Sequence, residues 1–501
     1  MPARMTLRRL TEGIPGARIL GPGGALETRA AVGDVEVTGV AYRSDRVAPG
    51  DLFCCLRGER ADGHDFAAQA VERGAAALLV ERPLPLPVPQ ALVPDARLGM
   101  ALAAARAAGD PSRDLLVVGV TGTNGKTTSA FLLRSILDAA GLRCGLLGTV
   151  EMRIGGRTEP AERTTPESAD LQALLARMRD SGDRACAMEV SSHALVQRRA
   201  AGVRFAAALF TNLTRDHLDY HADVEDYYLA KRALFRRPPA EGEDPPAACN
   251  LDDPYGRRLR EECGGLGFAV DRPADVHPLD LRVGPTGFTA RLATPRGPLD
   301  LVSPLRGRFN VANVCGAVAV AELLGLDHSA VAAGVAAVAG VPGRFEPVDA
   351  GQPFQVLVDY AHTPDSLKNV LRAARDLAPG GRLLVVFGCG GDRDRGKRPQ
   401  MGRVARDLAD LAVVTSDNPR SEDPEAIIAD ILAGMGEGTG ADVLVESDRR
   451  AAIALAAGRA RAGDVVVIAG KGHESGQERN GVVTPFDDRV VAREVLEGVL
   501  A

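Results

Sequence analysis

Short apolar runs that end in polar loops recur along the chain. Residues 115–120 read LLVVGV, a continuous apolar run of the kind buried in parallel sheets, and they lead into a Gly-rich turn. The next segment, TSAFLLRSILDAAG, has the helical period and stops at Gly141, a residue type that caps helix C-termini. Two further runs, ACAMEV and AAALFTNL, deliver polar residues at their carboxyl ends, where open α/β sheets bind ligands. The pattern predicts a mostly parallel, P-loop-type sheet with helices on both faces.

The same pattern returns in the last third of the chain. The segments QVLVDYAHTPDS, RLLVVFGCGGDRDRGKR, LAVVTSDNPRSEDP and DVVVIAGKGHE each place an apolar strand before a polar loop. A second doubly wound, Rossmann-like sheet is the prediction. Near the amino terminus, VEVTGVAYRSD and AAALLVE are the clearest strand candidates, which indicates a smaller mixed α/β unit. The predicted fold class is therefore α/β, with three domains.

Proline and turn residues indicate where these domains meet. The stretch ERPLPLPVPQ at residues 81–90 is predicted to be extended, and the Ala-rich helix after Arg97 should end near Gly109 and Pro111. The segment VAGVPGRFE supplies turn residues around positions 340–344. A chain of 501 residues is too long for one hydrophobic core and suits domains of roughly 100 to 200 residues. We predict domains at residues 1–110, 111–341 and 342–501.

Composition narrows the choice of partners and compartment. With 60 basic and 66 acidic residues the net charge is −6, which indicates neither a nucleic-acid surface nor disorder. The basic opening runs into Thr11, Glu12 and Gly13 instead of the apolar core of a signal peptide, and no apolar run approaches the ~20 residues that cross a bilayer. The eight cysteines form no CxxC pair, which favours reduced, buried thiols. We expect a cytoplasmic monomer that binds small molecules and neither nucleic acid nor membrane.

The segment GTNGKTT lies between a predicted buried strand and a predicted helix. In that context backbone N–H groups and a helix amino terminus cradle phosphate. Lys126 would bridge the β- and γ-phosphates of ATP, and the Thr127 hydroxyl would reach Mg²⁺. The general P-loop spacing requires Gly where Val120 stands, so the loop is a variant, and the alternative is an ordinary Gly-rich turn. The candidate ATP-binding residues here are Gly122, Thr123, Asn124, Gly125, Lys126, Thr127 and Thr128.

A carboxylate and an imidazole follow the next two predicted strands. Glu189 stands at the strand end in MEVSSH, and His217 lies in the loop TRDHLDYH. Either could help to hold Mg²⁺ at this edge of the sheet, although each taken alone fits a hydrogen-bonded loop residue better than a metal ligand. Lys231 lies in YYLAKRALF, which on composition alone is an amphipathic helix with the lysine on its surface. The chain has only five lysines among its 60 basic residues, so a lysine can mark a place that needs a primary amine.

The motifs taken together resemble the Mur ligase family, and the match runs through all three predicted domains. The segments that carry the resemblance occur in the family's order: GTNGKTT, TTP at residues 164–166, EVSSH, DHLDYH, the AK..LF element around Lys231, GRFNVAN at residues 307–313, PGRFE, DYAHTPDS and KGHE.

The resemblance implies an amino-terminal domain for a UDP-linked substrate, a central ATPase domain and a carboxy-terminal domain for an incoming amino acid. It implies that Lys231 is carbamylated by CO₂, which turns a cation into an oxygen ligand for Mg²⁺. The implied metal ligands are thus Thr127, Glu189, His217 and the Lys231 carbamate, and the implied catalytic residues are Lys126, Glu189, His217 and Lys231. The implied contacts of the UDP-linked sugar peptide are Ser44, Thr164, Thr165, Ser191, Gln197 and Arg199. Those of the nucleotide's base and ribose are Asn310, Asn313, Arg344, Asp359 and His362, for which local capping and turn roles are the alternative.

The segment DNPR follows a predicted strand and suggests which amino acid is added. Pro419 restricts the backbone before Arg420, and a guanidinium binds carboxylates in a bidentate manner. DNPR resembles the family's signature for meso-diaminopimelate, whose distal end carries a carboxylate that lysine lacks. By resemblance the pocket comprises Arg393, Asp417, Asn418, Pro419, Arg420, Gly470 and Glu474, with Glu474 facing the ammonium group. Arg393 could instead be one surface charge among several, because its neighbours are also basic.

The expected reaction is the ATP-dependent addition of meso-diaminopimelate to UDP-N-acetylmuramoyl-L-alanyl-D-glutamate through an acyl phosphate. Two other ligases of the superfamily are less consistent with the sequence: DNPR argues against a lysine-adding enzyme, and the long segment before GTNGKTT argues against a folylpolyglutamate synthase. A P-loop regulatory switch is the alternative from another class, and such a switch would not need an amino-acid pocket.

Overall fold

Three mostly parallel sheets, each from a different stretch of chain, organise the molecule. The computed structural model describes residues 5–24, 30–58, 61–436 and 441–500. In this part of the chain no helix combines the length and the apolar character needed to cross a membrane. The predicted class, α/β with helices packed on the sheets, is confirmed.

The amino-terminal sheet has five strands in the order β2-β7-β6-β5-β4, parallel except for β2. The Pro-rich segment at residues 81–90 contains no helix, as predicted, and the Ala-rich segment is helical. Tyr42 joins this unit to the next by donating its hydroxyl to Asp170 Oδ2 at 2.6 Å. The elements are β1 Met5–Thr6, α1 Leu7–Thr11, β2 Arg18–Leu20, β3 Glu36–Val37, β4 Gly39–Ala41, β5 Asp51–Cys54, α2 Ala67–Glu72, β6 Ala77–Val80, β7 Gln90–Leu92 and α3 Ala96–Ala107, with 3-10 turns at Pro22–Gly24, Ala30–Asp34, Ser44–Arg46 and Gly63–Phe66.

The central sheet has eight strands in the order β11-β10-β9-β12-β8-β13-β14-β15, of which β10 and β11 form an antiparallel edge. Its strands are β8 Leu116–Thr121, β9 Cys144–Leu147, β10 Glu151–Ile154, β11 Arg157–Pro160, β12 Ala185–Glu189, β13 Phe205–Phe210, β14 Ala247–Asn250 and β15 Leu266–Phe268. Its helices are α4 Lys126–Ala139, α5 Ser168–Asp180, α6 Ser192–Val196, α7 Val224–Arg232, α8 Pro254–Cys263, α9 Arg308–Leu323 and α10 His328–Ala336, with 3-10 turns at Pro111–Arg113 and Pro239–Glu241.

Helices cover both faces of this sheet. Successive side chains of a strand point to opposite faces, so each apolar strand contributes to the core on both sides. In β8, Val118 and Val120 pack with α4, α9 and α10, whereas Val117 packs with α5, α7 and α8. Helix α4 ends as predicted, since Gly141 adopts φ +78° just beyond it.

A three-stranded antiparallel meander extends the central unit, although no strand was predicted for this stretch from the sequence. It comprises β16 His277–Gly284, β17 Gly287–Ala293 and β18 Leu299–Ser303. In β17 the apolar side chains of Phe288, Ala290 and Leu292 are buried at every second position and join the core under α9 and α10. This period of two is typical of a half-buried strand and was the available signal.

The carboxy-terminal sheet has six strands in the order β19-β20-β24-β21-β22-β23, parallel except for β19. Strand β24 lies between β20 and β21, so the loops after these strands meet at a topological switch point. Asp423 is the N-cap of helix α13, and Pro424 is the first residue of the helix. The elements are β19 Glu346–Pro347, β20 Gln355–Asp359, α11 Pro364–Asp376, β21 Leu383–Phe387, α12 Lys397–Leu408, β22 Leu411–Val414, α13 Pro424–Leu432, β23 Asp442–Val445, α14 Arg449–Arg459, β24 Val465–Ala469, β25 Gly476–Arg479, β26 Val482–Pro485 and α15 Asp488–Leu500.

Candidate active site

A cavity of about 480 Å³ lies at the carboxyl ends of the central strands and is closed on one side by the carboxy-terminal unit. It brings together most of the residues that the sequence suggested for ATP, metal and the sugar peptide. Those that line it are Thr123, Asn124, Gly125, Lys126, Thr127, Thr128, Thr164, Thr165, Glu189, Ser191, Arg199, His217, Lys231, Asn313, Arg344, Asp359 and His362. Gly122, Ser44, Gln197 and Asn310 lie outside this lining.

The loop at residues 122–128 wraps around its own lysine. Lys126 begins α4, and its Nζ donates to the carbonyls of Gly122 at 2.9 Å and Thr123 at 2.7 Å. Gly125 adopts φ +84°, and a Cβ there would stand 2.4 Å from Asn313 Oδ1, so only glycine fits. Burial lowers the pKa of the Lys126 amine. The geometry is that of a helix amino terminus prepared to receive an anion.

Glu189 is held at the end of β12 by hydroxyl and backbone donors. Thr127 Oγ1 donates to Glu189 Oε2 at 3.1 Å, and Thr149 donates its N–H to Oε1 at 2.8 Å and its hydroxyl to Oε2 at 3.1 Å. Among the described residues, no group of three or more His, Cys, Asp or Glu side chains could hold a metal ion by itself. The oxygens of Glu189 and Thr127 nevertheless suit Mg²⁺, which commonly takes one or two carboxylates and completes its shell with substrate phosphates.

Lys231 is fully buried, which contradicts the interpretation of it as a surface lysine on an amphipathic helix. Its Nζ donates to the Gly122 carbonyl at 2.8 Å and stands 4.4 Å from the centre of the Tyr227 ring. Burial, together with the nearby Lys126, lowers the pKa of the Lys231 amine well below its usual value. A neutral amine is a nucleophile, so the environment favours covalent modification of this lysine.

His217 follows β13 with a left-handed backbone, φ +53°. Burial lowers the pKa of its imidazole to about 4, although Asp216 opposes the shift with Oδ2 at 3.4 Å from Nε2. Its ring meets that of His193 edge-on, with centroids 4.9 Å apart. A neutral imidazole that faces the cavity can accept a proton or ligate a cation.

The carboxy-terminal unit reaches the phosphate loop through two side-chain contacts. Arg344 Nη2 donates to Thr127 Oγ1 at 3.2 Å, and its guanidinium lies 4.5 Å from the centre of the Tyr360 ring. Asn124 Nδ2 donates to Asp365 Oδ2 at 3.2 Å. Groups from both units can therefore act on a molecule bound to this loop.

Several residues suggested for the nucleotide's base and ribose have local partners. Asn310 donates to the Arg306 carbonyl at 2.7 Å and accepts from Asn313 Nδ2 at 2.9 Å. The Asp359 carboxylate accepts two backbone N–H bonds, at 2.6 and 2.7 Å, and burial raises its pKa to about 6. The His362 Nδ1 lies 2.8 Å from the Tyr360 carbonyl. These bonds match the alternative capping and turn roles, and they also hold the cavity wall in place.

The residues suggested for the sugar peptide fall into two groups. Thr164, Thr165, Ser191 and Arg199 line the cavity, where Arg199 donates to the Thr165 carbonyl at 3.1 Å. Gln197 lies behind Arg199 and accepts from its Nη2 at 2.6 Å, while Ser44 lies in the 3-10 turn Ser44–Arg46 of the amino-terminal unit.

The residues of the predicted amino-acid pocket form a second cluster, at the ends of β22 and β24. Arg420, with φ +52° and a quarter of its side chain exposed, donates Nη1 to the Gly391 carbonyl at 2.7 Å and pairs with Glu478 at 3.3 Å. Asn418 donates Nδ2 to Glu474 Oε2 at 2.8 Å. Gly470 adopts φ +120°, and a Cβ there would stand 2.4 Å from Asp417 Oδ2. Pro419 is buried before Arg420, whereas Arg393 is exposed on the loop after β21.

Several residues at these sites were not among those predicted from the sequence. Thr149 and Asn212 each follow a parallel strand, so the rule that pointed to Glu189 could also have found them. Tyr360 lies within the quoted segment DYAHTPDS but carried no chemical signal of its own. Lys471, the lysine of the segment KGHE, and Arg449 are fully buried beside the second cluster, and their burial follows only from the packing of distant segments.

Comparison with known proteins identifies a single family over nearly the whole chain. Three family models match in order: "Mur ligase family, catalytic domain" over residues 36–111, "Mur ligase middle domain" over 120–321 and "Mur ligase, glutamate ligase domain" over 343–472. A relative from Streptomyces avermitilis, named UDP-N-acetylmuramoyl-L-alanyl-D-glutamate–2,6-diaminopimelate ligase, is 49% identical over 477 residues, which cover 93% of each chain.

Solved structures show the same architecture. A structure of a UDP-N-acetylmuramoyl-L-alanyl-D-glutamate–2,6-diaminopimelate ligase covers 100% of both chains at 33% identity, with a TM-score of 0.70. A MurF ligase from Thermotoga maritima in complex with ADP is 20% identical and shares the fold, with a TM-score of 0.61 over 93% of this chain and 98% of that one.

A phosphate loop at the end of a parallel sheet, faced by a second α/β unit, defines a nucleotide-dependent enzyme of the P-loop class. The chain belongs to the Mur ligase family, and the resemblance stated from its motifs is confirmed. It is an ATP-dependent ligase of peptidoglycan precursor synthesis.

Proposed function

We propose that this Mur ligase adds meso-diaminopimelate to UDP-N-acetylmuramoyl-L-alanyl-D-glutamate, with ATP as the source of energy. The observation that carries the proposal is the contact of Arg344 with Thr127, which brings the carboxy-terminal unit onto the phosphate loop. The names of the relatives that match over most of the chain support the choice of substrates. The cytoplasmic location, the monomeric state and the domain limits 1–110, 111–341 and 342–501 remain predictions.

The central cavity would hold the nucleotide and the acceptor together. The loop at residues 122–128 takes the phosphates of ATP, with Lys126 at the β- and γ-phosphates and Asn313 beside the turn at Gly125. The sugar peptide would lie along Thr164, Thr165, Ser191 and Arg199. The Arg199 guanidinium pairs with Glu167 at 2.9 Å and would present its remaining N–H donors to the peptide.

Mg²⁺ fits the oxygen donors at one end of this cavity. Thr127 and Glu189 would hold it together with His217 and a carbamate formed on Lys231. A carbamate requires a neutral amine, and the low pKa of buried Lys231 supplies one. When bound, Mg²⁺ would offset the negative charge of the phosphates and of the attacking carboxylate.

The chemistry runs in two steps. A carboxylate oxygen of the D-glutamyl residue attacks the γ-phosphorus of ATP, so that ADP leaves and an acyl phosphate forms. The amine of meso-diaminopimelate then attacks the acyl carbon, phosphate leaves, the nitrogen loses a proton, and an amide remains. Lys126 stabilises the charge on the transferring phosphoryl group, and Arg344 adds a second cation from the carboxy-terminal unit.

The cluster at the ends of β22 and β24 would bind the incoming amino acid. Arg420 would receive the distal carboxylate, and Glu474 the distal ammonium group, with Asp417, Asn418, Pro419 and Gly470 shaping the site and Arg393 reaching it from the loop after β21. L-Lysine has no distal carboxylate, so it would leave Arg420 without its ligand.

Phosphate release by the purified protein tests this function. The assay contains ATP, Mg²⁺ and UDP-N-acetylmuramoyl-L-alanyl-D-glutamate, with meso-diaminopimelate or L-lysine offered in parallel. Turnover with diaminopimelate alone supports the proposal, turnover with lysine overturns the assignment of the pocket, and turnover with neither overturns the function. Arg420→Ala should abolish use of diaminopimelate and leave ATP binding intact, whereas Arg479→Ala, which removes an exposed arginine on the adjacent hairpin, should leave both unchanged.

A further inference from the structure

We propose that Lys471 is a positioning residue that makes the amino-acid pocket selective for an ammonium group at the distal end of its substrate. The inference rests on the proposed function. Lys471 lies in the turn after β24 and its side chain is fully buried, although lysine is the basic residue that this chain uses least. A buried ammonium must satisfy its three donors inside the protein.

The donors of Lys471 find three acceptors. Nζ lies 2.6 Å from the Gly476 carbonyl, 3.0 Å from Asn418 Oδ1 and 3.3 Å from Glu474 Oε2. The ammonium therefore links the loop that carries DNPR to the turn that carries Glu474. The planar and larger guanidinium of arginine does not offer this compact, three-way geometry.

Lys471 determines which way the Asn418 amide points. Asn418 Oδ1 accepts from Lys471 Nζ and also from the backbone N–H of Glu478, at 3.0 Å each. With its oxygen between two donors, the amide has only one orientation, and its Nδ2 must point to Glu474, to which it donates at 2.8 Å. Lysine and asparagine together thus determine the position of the Glu474 carboxylate.

One oxygen of Glu474 is left for a ligand. Both Asn418 and Lys471 contact Oε2, while Oε1 has no hydrogen-bond partner among the described residues. About a third of the Glu474 side chain is exposed, so a substrate can reach Oε1. An oriented carboxylate oxygen of this kind accepts a strong bond from an ammonium group and is left unpaired by an analogue that lacks one.

The test compares meso-diaminopimelate with 2-aminopimelate, which keeps the reacting amine and the distal carboxylate but lacks the distal amine. We expect the protein to prefer diaminopimelate in kcat/KM by about 100-fold, the range expected for one charge-assisted hydrogen bond. Lys471→Met should reduce that preference to about 10-fold or less, because Asn418 and Glu474 then lose their fixed orientation. The KM values for ATP and for the sugar peptide should stay within about two-fold, because neither contacts this cluster.

Two further variants separate positioning from a general loss of structure. In Asn418→Asp the carboxylate still accepts from Lys471 but cannot donate to Glu474, so selectivity should fall while the lysine keeps its partner. In a Glu474→Gln background, Lys471→Met should change selectivity no further if it acts through Glu474. Lys368→Met, at an exposed lysine of α11, is the matched control and should leave selectivity unchanged.

The outcomes are distinct. Selectivity that falls in Lys471→Met and in Asn418→Asp supports the inference. Equal losses of kcat/KM for both substrates in these variants would overturn it while leaving the proposed function in place. Absence of diaminopimelate-dependent turnover by the unmodified protein would overturn the proposed function and this inference together.

Discussion

A fully buried ion pair supports the two loops of the amino-acid pocket, and breaking it should destabilise the protein strongly. Arg449 at the start of α14 donates Nε and Nη2 to the two oxygens of Asp488 at the start of α15, both at 2.7 Å, and neither side chain is exposed. The guanidinium also donates to the carbonyls of Ala469 at 3.0 Å and Ser416 at 3.3 Å, the residues that lead into the two loops.

Arg449→Met removes one partner and leaves the Asp488 carboxylate buried without a counter-charge. Truncation of one member of a buried pair costs about 3 to 5 kcal/mol, because the remaining charge is desolvated and no ion pair compensates for the lost hydration. For a unit of this size such a loss corresponds to a fall in melting temperature of roughly 10 °C. The KM for the amino acid should rise as well, since both loops lose a backbone anchor.

Urea denaturation and thermal melting of Arg449→Met measure this cost, and the neighbouring arginine provides the control. Arg450 pairs with Glu494, but each side chain is about half exposed, so Arg450→Met should cost about 1 kcal/mol or less. Replacing both partners, in Arg449→Met with Asp488→Leu, should recover much of the lost stability, because no charge remains buried. Equal stability of the two single variants would refute the reasoning.

Three further predictions concern the central cavity and its rim. Gly125→Ala should abolish binding of a fluorescent ATP analogue, because the new Cβ would stand 2.4 Å from Asn313 Oδ1 at a backbone φ of +84°; unchanged affinity would contradict this. Burial beside Arg344 lowers the pKa of His473 to about 3, below the 6.5 of an unperturbed imidazole. Between these two pH values the unfolded state binds more protons than the folded state, so the buried neutral imidazole costs the fold nothing above pH 6.5 and the free energy of unfolding decreases as the pH falls towards 3. His473→Gln should therefore flatten the pH dependence of unfolding in that interval, and an unaltered profile would argue against it. Lys231→Ala should lower turnover by about 100-fold, and acetate should restore part of it by replacing the carbamate; full activity without acetate would remove the carbamate role.

The elements were predictable where a local signal existed. The apolar run before GTNGKTT, the helix that stops at Gly141 and the cap at Asp423 all depend on residues within a few positions of one another. The meander from His277 to Ser303 was missed, although its alternation is also local, because charged and turn-forming residues interrupt its apolar positions. None of the recognised motifs lies within this stretch of the chain.

The sequence by itself determined which residues can bind phosphate, because a phosphate loop is a continuous segment whose backbone conformation, glycine and lysine are encoded together. The order of the motifs along the sequence also determined the family. Only the tertiary structure decided that Lys231 is buried under Gly122, that Arg344 contacts Thr127 and that Lys471 lies behind Asn418. These contacts join segments that are far apart in the chain. Burial, pKa and side-chain orientation at such places follow from the packing of whole elements, which no local pattern of residues specifies.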